Sequence, residues 1–470
     1  MDSLSKKFNF TKYLENVVDA ETIKYTGRVS AVKGLSIESE GPSSVIGEMC
    51  SIRLSNGLLL PAEVIGLDGK KVRLTAFGDT RGIEVGCEVI ASGSVLKVPV
   101  GPGLLGRSID ALGRPCDNLG EIIPETYYPA IASPPDVMSK LPVNKRLTTG
   151  VRAIDSALTV GKGQRIGFFG GSGVGKSTLM GMIARNTNAD INVIGLIGER
   201  NREVLDFIDR DLGKEGLKRS VIIVSTGDQP AICRLKAAYV CTAVAEYFRD
   251  QGKDVLMMLD SVKRFADAQR EIGLANGEPA AQNGYPPSVF DLIPKLLERT
   301  GTNNKGSITA FYTVLVDGDD MNEPITDKVR GTLDGHIVLD RNLAKAYHYP
   351  AIDVLSSVSR LAGRVTGKQT KKAVGMLRSM MSLYKENETI ITTGIYEKGS
   401  SPEIDQVIQK HSEIEDFLKQ EETEKCDMKE TLDRLSALTG IEIPEEEYGE
   451  QPALDRLGPG EISNQEQKIE

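Results

Sequence analysis

Histidine is scarce: only His336, His348 and His411 occur in 470 residues. They are scattered along the chain, so neither a zinc centre nor a histidine-based catalytic triad finds support. Cysteine is equally thin. Cys50, Cys87, Cys116, Cys233, Cys241 and Cys426 form no C-x-x-C pair, and in so long a chain they read as buried thiols rather than as a disulfide framework or metal ligands. Tryptophan is absent and aromatic residues make up 5% of the chain, which leaves no aromatic platform for stacking nucleic-acid bases. No run approaches the roughly 18 apolar residues that a membrane helix needs. Residues 1–10 carry lysines but no apolar stretch, so a secretory signal is not expected and a cytosolic protein is the default reading.

Charge is unevenly spread. The formal charge is −9, yet residues 421–470 alone hold 15 acidic and 5 basic side chains. The preceding body is therefore nearly neutral, which argues against a broad nucleic-acid-binding face and for no specific nucleic-acid partner.

The texture of the sequence changes along its length. Residues 3–18 place Phe8, Phe10, Tyr13, Leu14, Val17 and Val18 on one helical stripe, which either covers the next domain or docks a partner. From 25 to 98, short β-rich runs are split by Asn56-Gly57, Asp68-Gly69 and Gly78-Asp79. Runs at 64–67 and 71–77 flank Asp68-Gly69 as a hairpin would, and the even spacing suggests a small β-barrel. Residues 101–150 are rich in Gly and Pro and read as an extended connector laid on a domain surface. Apolar runs at 165–169, 192–197, 221–225, 255–259 and 308–314 then alternate with helical stretches. That pattern predicts a parallel sheet buried on both faces. Helical patterns at 374–385 and 402–418 follow. Residues 445–470 read as an acidic, disordered tail.

One segment carries unmistakable chemistry. Gly170-Gly171-Ser172-Gly173-Val174-Gly175-Lys176-Ser177 matches G-x-x-x-x-G-K-[ST] at every fixed position, after an apolar run and before the helical stretch that opens with Thr178. Glycines let successive backbone N–H groups turn inward toward phosphate oxygens, and the helix adds its positive end. Lys176 is expected on the β- and γ-phosphates of ATP, and the Ser177 hydroxyl on Mg²⁺. Asp260 closes the apolar run 255–259 and is the second candidate for the Mg²⁺ shell, directly or through water. A helix N-cap is the competing reading of Asp260. Glu199 follows the run 192–197 and would lie on the same sheet edge, where a carboxylate can polarise water against the γ-phosphate. The competing reading of Glu199-Arg200 is a surface ion pair.

Several stretches carry a resemblance. They are Gly198-Glu199-Arg200, Asp260 followed by Arg264-Phe265-Ala266, and Gly284-Tyr285-Pro286-Pro287-Ser288-Val289-Phe290. Together these resemble the catalytic heads of the rotary ATP synthase family, over about residues 25–418. Tyr312 to Asp320, Leu333 to Leu339, His348 to Asp353 and Gly399 to Asp405 are most similar to its flagellum-specific branch, the ATPases of the type III protein-export apparatus. The resemblance implies a multidomain α/β fold: an N-terminal β-barrel (25–98), a central RecA-like P-loop ATPase domain with a mainly parallel sheet (99–370), and a C-terminal helical domain (371–444). It also implies that Glu199 is the catalytic carboxylate with Arg200 beside it, that Tyr349 lies against the adenine ring, and that Arg360 is an arginine finger reaching a neighbouring subunit's site. For Tyr349, packing on Pro350 is the alternative, and for Arg360 an ordinary interface ion pair.

The implied assembly is a homo-hexamer, peripheral at the inner face of the cell membrane. Its implied partners are a stator-like negative regulator, export-gate membrane proteins, and export substrates with their chaperones. Residues 1–24 would be the regulator-binding and assembly segment. Three features depart from the family pattern: Lys263 in place of a small hydroxyl residue, Ala280-Ala281-Gln282-Asn283 before Gly284, and the residues after Glu421. The last are expected to be dispensable for turnover. Rival readings are a virulence-type secretion ATPase, a rotary synthase subunit, a non-hydrolysing ring subunit and an RNA-translocating motor. Glu199 speaks against the non-hydrolysing subunit, and the near-neutral body against the motor.

Overall fold

A computed structural model describes residues 25–136, 138 and 140–449. The helical stripe at 3–18 lies outside them, as does the acidic stretch beyond 449. The chain forms two compact units that divide after Leu96.

The first unit is a closed antiparallel barrel of six strands, Thr26–Lys33, Ser36–Glu40, Glu48–Arg53, Leu59–Asp68, Lys71–Ala76 and Glu88–Val95, in spatial order 1-2-5-4-3-6. Side chains alternate across each strand, so Cys50 and Ile52, Val72 and Leu74 point to a shared interior with Val29, Ile37, Val64 and Val89. The Asp68-Gly69 hairpin forms as the sequence predicts, with Gly69 at φ 60°, a left-handed turn that glycine adopts without a Cβ penalty. Asn56-Gly57 likewise joins two paired strands. Gly78-Asp79 does not. The chain runs on from there to Glu88–Val95, which pairs with both the first and third strands and closes the barrel.

The second unit is built on a nine-stranded sheet. Its spatial order is Ile352–Ser359, Gly335–Leu339, Arg165–Gly170, Ser307–Leu315, Asp254–Asp260, Ile191–Ile197, Ser220–Ser225 and Ser108–Ile109, with Gly301–Thr302 paired beside Ser307–Leu315. Only Ile352–Ser359 and Gly301–Thr302 run antiparallel to their neighbours. All five apolar runs predicted as strands are found. Every residue of Ile191–Ile197 is buried, as helices on both faces require. The glycine-rich connector is more than a surface strap. Ser108–Ile109 extends the sheet, and the buried Arg299 guanidinium donates to the Ala130 carbonyl at 2.6 Å.

The C-terminal helices Lys368–Thr392, Pro402–Leu418 and Met428–Thr439 share one apolar core with the sheet domain. Here the structure corrects two expectations. Residues after 421 are not an appendage: Met428–Thr439 buries Leu432, Leu435 and Leu438 in that core. Nor do residues 445–449 begin a disordered tail. Glu447 is buried, and its carboxylate accepts from the Gln369 and Thr370 N–H groups at 2.9 and 2.8 Å, capping the helix that starts at Lys368. Among the described residues, no helix is long and apolar enough to cross a membrane.

Candidate functional site

The parallel strands present their C-terminal ends along one edge of the sheet, where open α/β sheets bind ligands. Arg165–Gly170 delivers the chain into the glycine-rich loop there. Gly170 itself abuts Leu339, whose Cβ would stand 2.9 Å from any Cβ added at 170. Gly173 and Gly175 hold φ of 80° and 83°, and the buried Val174 between them anchors the loop in the core. The helix Lys176–Asn186 then begins with Gly175 as N-cap and no side-chain cap on its amide groups, so its positive end is not already neutralised by a side chain. Gly171 is buried, while Ser172 and Ser177 are exposed and Thr178 is half-buried on the first helical turn.

The Asp254–Asp260 strand ends two strands away, with Asp260 buried. Lys176 Nζ donates to Asp260 Oδ1 at 2.6 Å, and Thr313 Oγ1 donates to the same oxygen at 2.6 Å. Asp260 is therefore no helix N-cap; its neighbour Ser261 performs that role for Val262–Ala275. Asp260 pairs across the sheet with Leu196, which places Glu199 just beyond the adjoining strand end. Glu199 Oε1 is buried and has no protein hydrogen-bond partner among the described residues. Burial first, and the negative charge of Asp260 second, push the Glu199 carboxyl up to about 7, against the pull of Lys176. A buried acceptor without a partner, a basic side chain and a second carboxylate thus converge on one edge.

This donor set fits a magnesium-bound triphosphate. Hydroxyl and carboxylate oxygens suit a hard dication, and among the described residues no group of three or more His, Cys, Asp or Glu forms a closed metal cage. A P-loop site needs no such cage, because phosphates complete the metal shell. Tyr349 also reaches this edge: a Cβ on Gly175 would lie 3.3 Å from Tyr349 Cε1, and the residue is 41% exposed. It is therefore not spent on core packing.

Arg200 and Arg360 do not converge with the rest. The Arg200 side chain is exposed and pairs with Glu203 at 3.4 Å. Arg360 is exposed and follows Ile352–Ser359, with its N–H bonded to the Asp334 carbonyl at 3.0 Å. Asp334 in turn binds Arg165, the first residue of the P-loop strand. Arg360 thus stands at the opposite edge of the sheet from its own P-loop, roughly 16 Å away along that strand.

Sequence reasoning missed Thr313 and Glu203, and it named Arg264 and Lys263 without a role for either. Thr313 lies mid-strand, and its hydroxyl in the apolar run Ser307–Leu315 was the available signal. Glu203, whose carboxylate accepts from Arg200, is close enough to help raise the Glu199 carboxyl. Arg264 packs its aliphatic stem against Gly198, where an added Cβ would collide at 2.6 Å. Lys263 stood out by its type, but not its role: it is nearly buried and donates to Asp317 Oδ2 at 2.6 Å, with Glu323 3.7 Å away. It ties the loop after Ser307–Leu315 to the helix after Asp260.

Comparison with known proteins bears on the same residues. The nucleotide-binding domain model of the ATP synthase alpha/beta family matches residues 150–359, and the family's beta-barrel domain model matches 29–93. A "Flagellum-specific ATP synthase" of Treponema pallidum is 54% identical over 439 residues, covering 93% of this chain and 98% of that protein. The chain belongs to the ATP synthase alpha/beta family, in the branch of the flagellar and type III secretion ATPases. A second member of this branch, a "Type 3 secretion system ATPase" of Xanthomonas euvesicatoria, is 48% identical over 414 residues, covering 88% of this chain and 94% of that protein. The solved structure of the assembled ATPase EscN with its central stalk EscO, from the type III secretion system of enteropathogenic E. coli, has a TM-score of 0.82. It is 42% identical and covers 88% of this chain and all of that one. The family's secretion branch also extends past the sheet. A T3SS EscN ATPase C-terminal domain model matches residues 366–437, so the first part of the stretch after Glu421, up to 437, does carry a family pattern.

Proposed function

We propose that this chain is the ATPase of a flagellar protein-export apparatus, hydrolysing Mg²⁺-ATP at the sheet edge built by Gly170–Ser177, Glu199 and Asp260. The observation that carries hydrolysis, as opposed to binding alone, is the partnerless buried oxygen of Glu199 beside the Lys176–Asp260 pair. The P-loop amides and Lys176 hold the triphosphate. Ser177 and Asp260 would hold Mg²⁺, which when bound neutralises phosphate charge. Lys176 leaves Asp260 for the phosphates, and Thr313 keeps the freed carboxylate oriented. Glu199, in its carboxylate form, accepts a hydrogen bond from the attacking water and aligns it with the γ-phosphorus. Tyr349 faces the base. Arg360 lies too far from its own P-loop to serve it, which favours a homo-hexameric ring in which it completes a neighbour's site.

The flagellar assignment rests on identity over nearly the full length of flagellum-specific relatives. In that setting the ring would sit peripherally at the inner face of the membrane. Its partners would be a central-stalk protein, a stator-like negative regulator, export-gate proteins, and substrates with their chaperones. Virulence-type secretion is the second reading, favoured by the match of residues 366–437 to the secretion-system domain. Glu199→Gln tests the chemistry: ATP binding should persist while turnover falls on the order of 10³-fold, and preserved turnover would remove Glu199 from this role. Restoring motility to a strain lacking its flagellum-specific ATPase tests the assignment. Basal-body genes beside this one support it, and needle-complex genes overturn it.

A further inference from the structure

The residue preceding Tyr349 is used by none of the chemistry above, yet its side chain is buried and tethered. His348 is 3% exposed. Its Nδ1 lies 2.8 Å from Glu415 Oε2, on the helix Pro402–Leu418 of the C-terminal domain. That hydrogen bond is the foremost reason the Glu415 carboxyl is held below its ordinary range, with burial opposing it, so the carboxylate accepts and His348 Nδ1–H donates. A second tether follows one residue later. The Tyr349 carbonyl accepts from the Gln420 N–H at 2.9 Å, and the Gln420 side chain is fixed to the Gly150 carbonyl and the Arg152 N–H at 2.9 and 2.8 Å. The chain at 348–349 is therefore held on one side by the C-terminal helical domain, while the Tyr349 ring lies over Gly175 of the phosphate loop on the other.

The space around this link is not filled. A cavity of about 480 Å³ is lined by His348, Glu415, Asp353, Met381, Tyr384 and His411. Ile352 and Val354 share an apolar core with Leu377, Met380, Ile414 and Leu418 of the C-terminal helices, and beside that core the cavity leaves the placement of the His348 side chain to polar contact. The half-buried His348–Glu415 hydrogen bond supplies that contact, with the His348 side chain 4% and the Glu415 side chain 31% exposed, where partial removal from water makes it stronger than an exposed bond.

We propose that His348 and Glu415 are positioning residues for nucleotide recognition: their hydrogen bond lets the C-terminal helical domain set where the Tyr349 ring stands against the P-loop, and so how well the base is held. This inference rests on the reading that Tyr349 faces the base. It predicts an effect confined to the nucleoside end of the ligand, because His348 and Glu415 act on the site through the Tyr349 ring.

The test measures ATP turnover by the full chain, together with inhibition by magnesium tripolyphosphate, a probe with phosphates but no base. Glu415→Ala and His348→Ala should raise KM for ATP roughly three- to ten-fold, the loss expected for one hydrogen bond. The kcat should stay within about two-fold and tripolyphosphate inhibition should be unchanged. Glu415→Gln, which keeps a neutral acceptor and the side-chain volume, should give a smaller shift of the same sign. His348→Asn places an N–H donor where Nδ1 stood and should restore KM. Tyr349→Ala should raise KM by itself, and adding Glu415→Ala to it should raise it no further. If tripolyphosphate weakens in parallel with ATP, the link acts on the phosphate loop or the fold, and the proposal is overturned. An unchanged KM in Glu415→Ala with a raised KM in Tyr349→Ala overturns it while leaving the base contact intact. If Tyr349→Ala leaves KM unchanged, the base contact fails and the proposal falls with it.

Discussion

Glu199 combines two properties that an ordinary surface glutamate lacks: a buried oxygen with no partner and a carboxyl whose pKa burial and Asp260 push up to about 7. The sign of the consequence follows directly. In the folded chain the proton is retained well above the ordinary carboxylate range, and the carboxylate that can align water appears only as pH rises through about 7. The kcat/KM for ATP should therefore climb with pH across that window, since this parameter reports the free enzyme's ionisations. In Glu199→Gln the residual rate should show no such rise, and a wild-type profile flat from pH 6 to 8 would contradict the assignment. Stability moves the opposite way. Between the ordinary carboxyl range and about 7 the folded state binds more protons than the unfolded state, so this group's contribution declines as pH rises. An unpartnered buried acid of this kind costs stability and is retained where a ligand later uses the charge.

Among the elements, the connector and the segment around Glu447 are each tied down by a buried charged side chain. Arg299 and Glu246 form a bidentate pair at 3.0 and 2.6 Å with side chains 1% and 8% exposed, and Arg299 also holds the Ala130 carbonyl of the connector. Glu246→Ala leaves that guanidinium charged and buried, and should lower stability by about 3–5 kcal/mol, read as a lower urea midpoint. Arg202→Ala, which removes one half of an exposed pair with Asp206, should leave the midpoint unchanged. Glu447→Ala uncaps the helix Lys368–Thr392 and should cost about 1 kcal/mol, with faster amide exchange at Gln369 and Thr370.

These same elements show where the sequence was readable. The P-loop is contiguous, Asp260 ends an apolar strand and Glu199 follows one by two residues, so short-range pattern was enough to single out all three. Thr313 meets Asp260 from 53 positions away, Glu447 meets Thr370 from 77, and Arg299 meets Glu246 from 53. No local period encodes such pairings, because tertiary packing alone creates them. The helix Met428–Thr439 was legible after all: Asp427 at the N-cap with Glu430 three residues on, and Gly440 at the end, are standard start and stop signals. The acidic composition around them hid those signals.

At the scale of the whole molecule, the unresolved charge is Arg360. Its own P-loop lies at the far edge of the sheet, yet a phosphoryl-transfer site gains on the order of 10³-fold or more from a well-placed arginine. Arg360 is exposed, and its backbone is fixed by Asp334, so it is presented rigidly at a surface. A ring in which each subunit offers that edge to the next one's P-loop satisfies both facts. Arg360→Ala should then cut turnover by about 10³-fold in the assembled ring, with nucleotide binding by single subunits little changed. The decisive measurement mixes this variant with Glu199→Gln, each nearly inactive alone. The first supplies an intact Glu199 and the second an intact Arg360, so interfaces with both residues arise only between unlike subunits. Activity in the mixture well above the sum of the two parts places the arginine in a neighbour's site. A mixture that stays at that sum, in rings shown to have exchanged subunits, assigns Arg360 to holding the interface and leaves each site to work with its own residues.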